Sequence, residues 1–119
     1  MAVISSDTRL LKKNVAQVYN KINQKFYATG VVSQRISVYN ERIIIFAQHK
    51  RVPAFKALSK NFNELTTFAD AALIKEFKVE LKQEIQEVTG YKVISVLKDY
   101  DAETEHACCI IIFDRKIVD

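Results

Sequence analysis

Three side chains carry the soft chemistry that could gather a metal: His106 and Cys108, two apart, and His49, more than fifty residues earlier. On a strand, residues two apart share a face, so His106 and Cys108 would point the same way, with His49 able to approach from a neighbouring strand. A transition-metal centre needs three or four such ligands. The chain has only two histidines and two cysteines, and Cys108-Cys109 runs straight into an apolar segment, where cysteine behaves as a small hydrophobe. The reading is therefore buried thiols, with no metal and no cofactor. The carboxylates Asp99, Asp101, Glu103 and Glu105 are the nearest approach to an acid-base site. They lack the glycine and spacing of a calcium loop and read as a solvated hairpin loop. Catalysis needs a nucleophile or acid-base pair in a pocket with a third group to orient it. With only two glycines, Gly30 and Gly90, both expected as helix caps, no phosphate-cradling loop can form. No catalytic residue is assigned, and the chain is expected not to be an enzyme.

Binding chemistry is better represented. Arg9, Lys12, Lys13, Lys21 and Lys25 form a basic face, with Tyr19 and Tyr27 nearby, and no acidic residue occurs between Thr8 and Asn40. Such a face could take nucleic acid phosphates or an anionic membrane surface. The blander alternatives, a solvated face or a complement to an acidic helix of another subunit, are favoured. Charge is strongly divided along the chain. Residues 1–62 hold eleven Lys/Arg against Asp7 and Glu41, a balance of +9, and residues 63–119 hold seven against twelve, a balance of −5. Opposite halves of this kind steer a protein toward charged partners or toward a second copy of itself.

The elements that must position these residues follow from periodicity. Leu11, Val15, Val18, Ile22 and Phe26 recur at spacings of three and four, which predicts a helix from about Thr8 to Ala28, capped by Ser5, Ser6 or Asp7 and closed by a left-handed Gly30. Val32, Ile36 and Val38 alternate with Ser33, Arg35 and Ser37 as in a half-buried strand. After the turn Tyr39-Asn40-Glu41-Arg42, Ile43-Ile44-Ile45-Phe46 is apolar on both faces and suits a central strand covered on both sides. Pro53 opens a short helix to about Lys60, and Asn61-Phe62-Asn63 interrupts it. Thr67 with Asp70 resembles a capping box for a second long helix, striped by Leu73, Phe77, Leu81, Ile85 and Val88 and ended by Gly90. Tyr91 to Leu97 and Ala107 to Phe113 read as two further strands.

Both glycines follow threonine at the end of a long helix, and each is followed by two strands, the second carrying three isoleucines and a phenylalanine. This predicts an α+β fold made from a duplicated helix-strand-strand unit: a four-stranded antiparallel sheet, order first-second-fourth-third, with two long helices on one face and a short linking helix. The whole chain, 1–119, reads as one domain, with units at about 8–49 and 66–115 and the linking helix at about 53–60. About half the residues are apolar, enough for a core without staples. The uncovered sheet face predicts a homodimer through sheet-to-sheet contact.

Adjacent cysteines are not a secreted disulfide framework, which implies a reducing compartment. Met1 to Ile4 is too short and lacks the basic leader of a signal peptide, and no run approaches the roughly 18 apolar residues of a membrane span. A cytoplasmic protein is expected, peripheral to a membrane only through a protein partner.

The run Glu87-Val88-Thr89-Gly90-Tyr91-Lys92-Val93, the strand ending Ser95-Val96-Leu97-Lys98-Asp99 and the final Ile111-Ile112-Phe113 resemble the MpsC or YbcI-type family of small bacterial proteins. Val52-Pro53-Ala54 is similar to that family's Thr-Pro-Ala-Glu helix start, although Phe55 stands where glutamate is usual and Arg51-Val52 replaces the usual Leu-Thr. The resemblance implies membership of a membrane potential-generating system that couples cation movement to inorganic carbon uptake. Its other components are a large membrane protein similar to a complex I subunit and a large soluble zinc protein. The chain would then be a non-catalytic accessory or regulatory protein acting by protein-protein binding; the alternative is a regulatory nucleic-acid-binding module that uses the basic first helix.

Overall fold

The computed structural model describes residues 2–117, with side chains from Thr8 onward. Helix α1 spans Ala2–Tyr27, followed by strands β1 (Ser33–Tyr39) and β2 (Arg42–Gln48), the short helix α2 (Pro53–Leu58), the long helix α3 (Asn63–Thr89), and strands β3 (Val93–Asp101) and β4 (His106–Phe113). The strands form one antiparallel sheet in the order β1-β2-β4-β3, so the two isoleucine-rich strands are the inner pair, as their composition requires. Ile43, Ile45 and Ala47 of β2 and Ala107, Cys109, Ile111 and Phe113 of β4 alternate onto the helix side. There they bury against Val15, Val18, Tyr19 and Ile22 of α1 and Phe77, Leu81 and Ile85 of α3.

Several boundaries differ from expectation. Ser5, Ser6 and Asp7 lie inside α1 and do not cap it. Ile4 sits one heptad before Leu11 and continues the apolar spacing, so the helix runs past the serines. Thr67 and Asp70 lie inside α3, which starts four residues before Thr67, and Asp70 is engaged with Arg51. Strand β3 continues through Asp101 because Lys98, Asp99, Tyr100 and Asp101 all pair with β4, so Asp99 and Asp101 are strand residues and only Ala102 to Glu105 turn. Strand β2 is covered by the chain on one face only: Ile44 is half-buried on the other, and Phe46 is 55% exposed.

The two Thr-Gly pairs also do different work. Gly90 is a left-handed cap at φ 75°, its N–H donating to the Gln86 carbonyl at 2.9 Å. At the end of α1, Ala28 takes the left-handed turn instead, at φ 69°. Gly30 serves a close approach: a Cβ there would lie 2.5 Å from Asn20 Oδ1, which accepts the Val31 N–H at 2.9 Å. Gly30→Ala should therefore cost about 1–2 kcal/mol by displacing Asn20 from that amide. Gly90→Ala should cost about 1 kcal/mol through backbone strain alone, since nothing crowds its Cβ. Urea midpoints separate the two mechanisms. Adding Gly30→Ala to Asn20→Ala should change little, whereas Gly90→Ala should add in full to Asn20→Ala.

Candidate interaction surfaces and a buried lysine

The sheet face turned away from the helices is ordered in rows by the strand register. One row reads Ser37, Ile44, Ile110, Leu97 from β1 to β3, and the next reads Arg35, Phe46, Cys108, Asp99. Ile112 and Ile94 extend the apolar centre, and Leu97 is 52% exposed. The patch is therefore flanked by a cation on β1 and a carboxylate on β3. His106 and Cys108 share this face, whereas His49 is fully buried on the helix side. The three soft ligands do not converge, and among the described residues no group of three or more His, Cys, Asp or Glu could hold a metal ion. Cys109 points the opposite way from Cys108, into the core, where burial pushes its thiol up to about 12.

Behind the sheet lies a group that the sequence did not signal. Past an irregularity between Val93 and Ser95, Val96, Lys98 and Tyr100 alternate inward. Lys98 is only 9% exposed, and its ammonium sits 3.4 Å from the centroid of the Phe77 ring, with Tyr19 and Tyr27 at 5.1 and 5.3 Å. Its Nζ has no hydrogen-bond partner in the protein. Burial pushes the amine down to about 7, while the three ring faces favour the cation. Nζ is closed off from solvent beneath the Phe77 ring, so the amine is a packing element here.

The aromatic cluster continues from Tyr27 to His49, at 4.3 Å between ring centroids, and on to Tyr100, stacked on His49 at 4.3 Å. The Tyr100 hydroxyl donates to the His49 carbonyl at 3.0 Å. Burial holds the His49 imidazole down at about 4, aided by the nearby Lys98 charge, so it is neutral at physiological pH. Burial also raises the Tyr19, Tyr27 and Tyr100 phenols above their ordinary value.

At the end of this cluster, Arg51 pairs through Nε and Nη2 with both oxygens of Asp70, a largely buried, two-pronged contact. Glu105 accepts the Arg51 amide at 2.7 Å through Oε2 and the His49 amide at 3.1 Å through its carbonyl, while Asp101 Oδ1 accepts the amides of Glu103 and Thr104. The acidic run is thus partly structural: Asp101 shapes the turn and Glu105 fastens it to the chain after β2. Arg51, Asp70, Asp101 and Glu103, together with Lys56, Asn63, Thr67 and Tyr100, border an open cleft of about 670 Å³.

The basic face of α1 is partly consumed within the chain. Lys21 pairs with Glu84 of α3 at 2.7 Å, and Lys25 pairs with Glu80. The acidic helix facing Lys21 and Lys25 is α3 of the same chain, whereas the copy of that helix in another subunit was one of the two alternatives above, beside a solvated face. Arg9 and Lys13 are exposed and Lys12 is half-buried, and among the described residues these three form no ion pair. A separate apolar ridge stands at the junction of α2 and α3, where Leu58, Phe62, Leu65 and Phe68 are exposed, Phe68 to 74%.

The fold is α+β, with a four-stranded antiparallel sheet bare on one side, and among the described residues no helix is long and apolar enough to cross a membrane. A family model described as the Na+-translocating membrane potential-generating system (MpsC) matches residues 8–115, nearly the whole chain. The chain belongs to the MpsC family, which associates it with a membrane potential-generating system. No curated protein and no solved structure matches it.

Proposed function

We propose that the chain is a non-catalytic accessory protein of a membrane potential-generating and inorganic carbon uptake system, a homodimer that acts by binding a protein component of that system. Family membership supports the system, and the observation that carries the binding mode is the ridge at the α2–α3 junction. Leu65 and Phe68 lie three apart on the first turns of α3, and Phe62 immediately precedes the helix, near Leu58 at the end of α2. Contiguous large apolar side chains left in water mark contact sites. Lys56 and Lys60 beside them favour a partner surface with an apolar centre and an acidic rim. The protein would then reach the membrane through that partner.

Co-purification at near-native expression tests the reading. The tagged chain should retrieve the large membrane component of the system, resistant to nuclease. The triple substitution Phe62→Ser, Leu65→Ser and Phe68→Ser should reduce recovery at least tenfold, with the circular dichroism spectrum unchanged. Recovery of nuclease-sensitive material instead, lost on charge reversal at Arg9, Lys12 and Lys13, would replace this reading with the nucleic-acid one.

A further inference from the structure

We propose that a second copy of this chain covers the bare sheet face, related to the first by a twofold axis parallel to the strands, with Arg35 of each copy paired to the partner subunit's Asp99. The inference rests on the protein-binding reading above and adds a definite geometry to its dimer.

Two sheets can stack face to face with their strands nearly aligned about either of two twofold axes, one along the strands and one across them. Charge decides between them. An axis along the strands keeps each row at its own level and reverses its order, so the row Arg35, Phe46, Cys108, Asp99 lies over the partner's same four residues from the other end. Arg35 then meets the partner's Asp99, Phe46 meets the partner's Cys108, and Ile44 meets the partner's Ile110. Both ion pairs form at the rim, and the apolar residues meet at the centre, the usual layout of a protein interface. An axis across the strands would stack β1 on its own copy and β3 on its own copy. That gathers the two Arg35 side chains at one margin and Asp99 and Asp101 of both copies at the other, a juxtaposition of like charges.

Two further observations fit. Within one chain Arg35 and Asp99 are three strand spacings apart, roughly 14 Å, too far to satisfy each other. Among the described residues, neither forms an ion pair. The face measures about 19 by 23 Å from the strand spacing and rise, a footprint of roughly 440 Å² on each copy. Two such footprints, about 880 Å² in all, fall below the roughly 1,200 Å² of stable specific interfaces and in the range of transient ones, so the dimer should be reversible, with a dissociation constant on the order of micromolar, and salt-sensitive.

Sedimentation at about 100 micromolar, well above the micromolar range set by so small an interface, is the test, using the full chain and two variants, Arg35→Asp and Asp99→Arg. The wild type should be dimeric. Each variant alone places like charges at both rim contacts and should dissociate at least tenfold more readily. Their equimolar mixture restores both pairs and should return to a dimer containing one of each. A mixture that stays as monomeric as its components overturns the proposed axis, and so does a dimer that Phe46→Ser breaks while neither charge variant weakens it. A wild type that is monomeric at this concentration overturns the second copy as occupant. The partner-binding reading would still stand or fall separately, on the Phe62, Leu65 and Phe68 substitutions at the other surface.

Discussion

Replacing Lys98 by methionine should raise the stability of the fold by about 3 kcal/mol at pH 7. Moving an amine from its ordinary 10.5 to about 7 by burial corresponds to roughly 5 kcal/mol held against folding at neutral pH, of which the Phe77, Tyr19 and Tyr27 faces return about 2. Methionine keeps the length and the ring contacts and carries no charge to desolvate. The sign of the pH dependence follows from the lowered value. Between the lowered folded value and 10.5 the unfolded chain holds a proton at Lys98 that the folded chain has released, so wild-type stability rises with pH across that window. His49 acts in the same sense lower down, between about 4 and 6.5, where folding keeps the ring neutral. Urea midpoints from pH 5 to 9.5 should climb in two steps for the wild type, and Lys98→Met should lose the upper step and keep the lower one in reduced form, since burial still holds His49 neutral without the Lys98 charge. An unchanged midpoint at pH 7, with the upper slope retained, would mean that the ammonium is solvated in the folded protein.

The opposite result is expected at Asp70. Asp70→Ala should destabilise the fold by about 3–5 kcal/mol, because it leaves the Arg51 guanidinium, 9% exposed, without its counter-charge. The loss belongs to the broken pair and not to either residue alone. The double substitution Arg51→Met, Asp70→Leu should recover most of it, since apolar side chains of similar size remove both desolvation costs together. Thermal or urea unfolding of the two variants side by side provides the check. A loss below about 1 kcal/mol for Asp70→Ala would place the pair among exposed ion pairs of little worth.

These two positions also show what periodicity reveals and what it hides. The helix stripes, the alternation of β1 and the doubly apolar β2 and β4 led directly to the sheet order, because burial imposes a period on a chain that packs one face. Lys98 escaped that reading because β3 was expected to stop at Leu97. Val96, Lys98 and Tyr100 do carry the period of two, but a charged residue in the middle position reads as the end of a strand. The Arg51–Asp70 contact joins a loop to the second turn of a helix, and no local pattern encodes a pairing nineteen residues apart. Asp70 had a plausible local role, as a capping-box partner of Thr67, which concealed the distant one. Gly30 was misread for a related reason: a glycine after a helix suggests a left-handed turn, whereas here it makes room for Asn20. Phe62 reads as part of the interruption Asn61-Phe62-Asn63, and Leu65 and Phe68 belong to no predicted stripe, so the ridge emerges only with the helix start at Asn63. The bare sheet face was anticipated from Ile44 and Phe46, and the register supplied what the sequence lacked, the placement of Arg35 and Asp99 at opposite ends of one row.

The inward lysine also bears on what the sheet can become. Strand β3 is an edge strand, with main-chain groups free to template another strand, and polymerisation through such edges is a standing hazard for β proteins. A strand that docked there by slipping β3 out of register would force a buried ammonium to find a new home, and the irregularity near Val93 twists the same border away from a flat approach. Lys98 thus trades folding free energy for colloidal safety, and the methionine variant, though harder to unfold, should be the more prone of the two to form filaments.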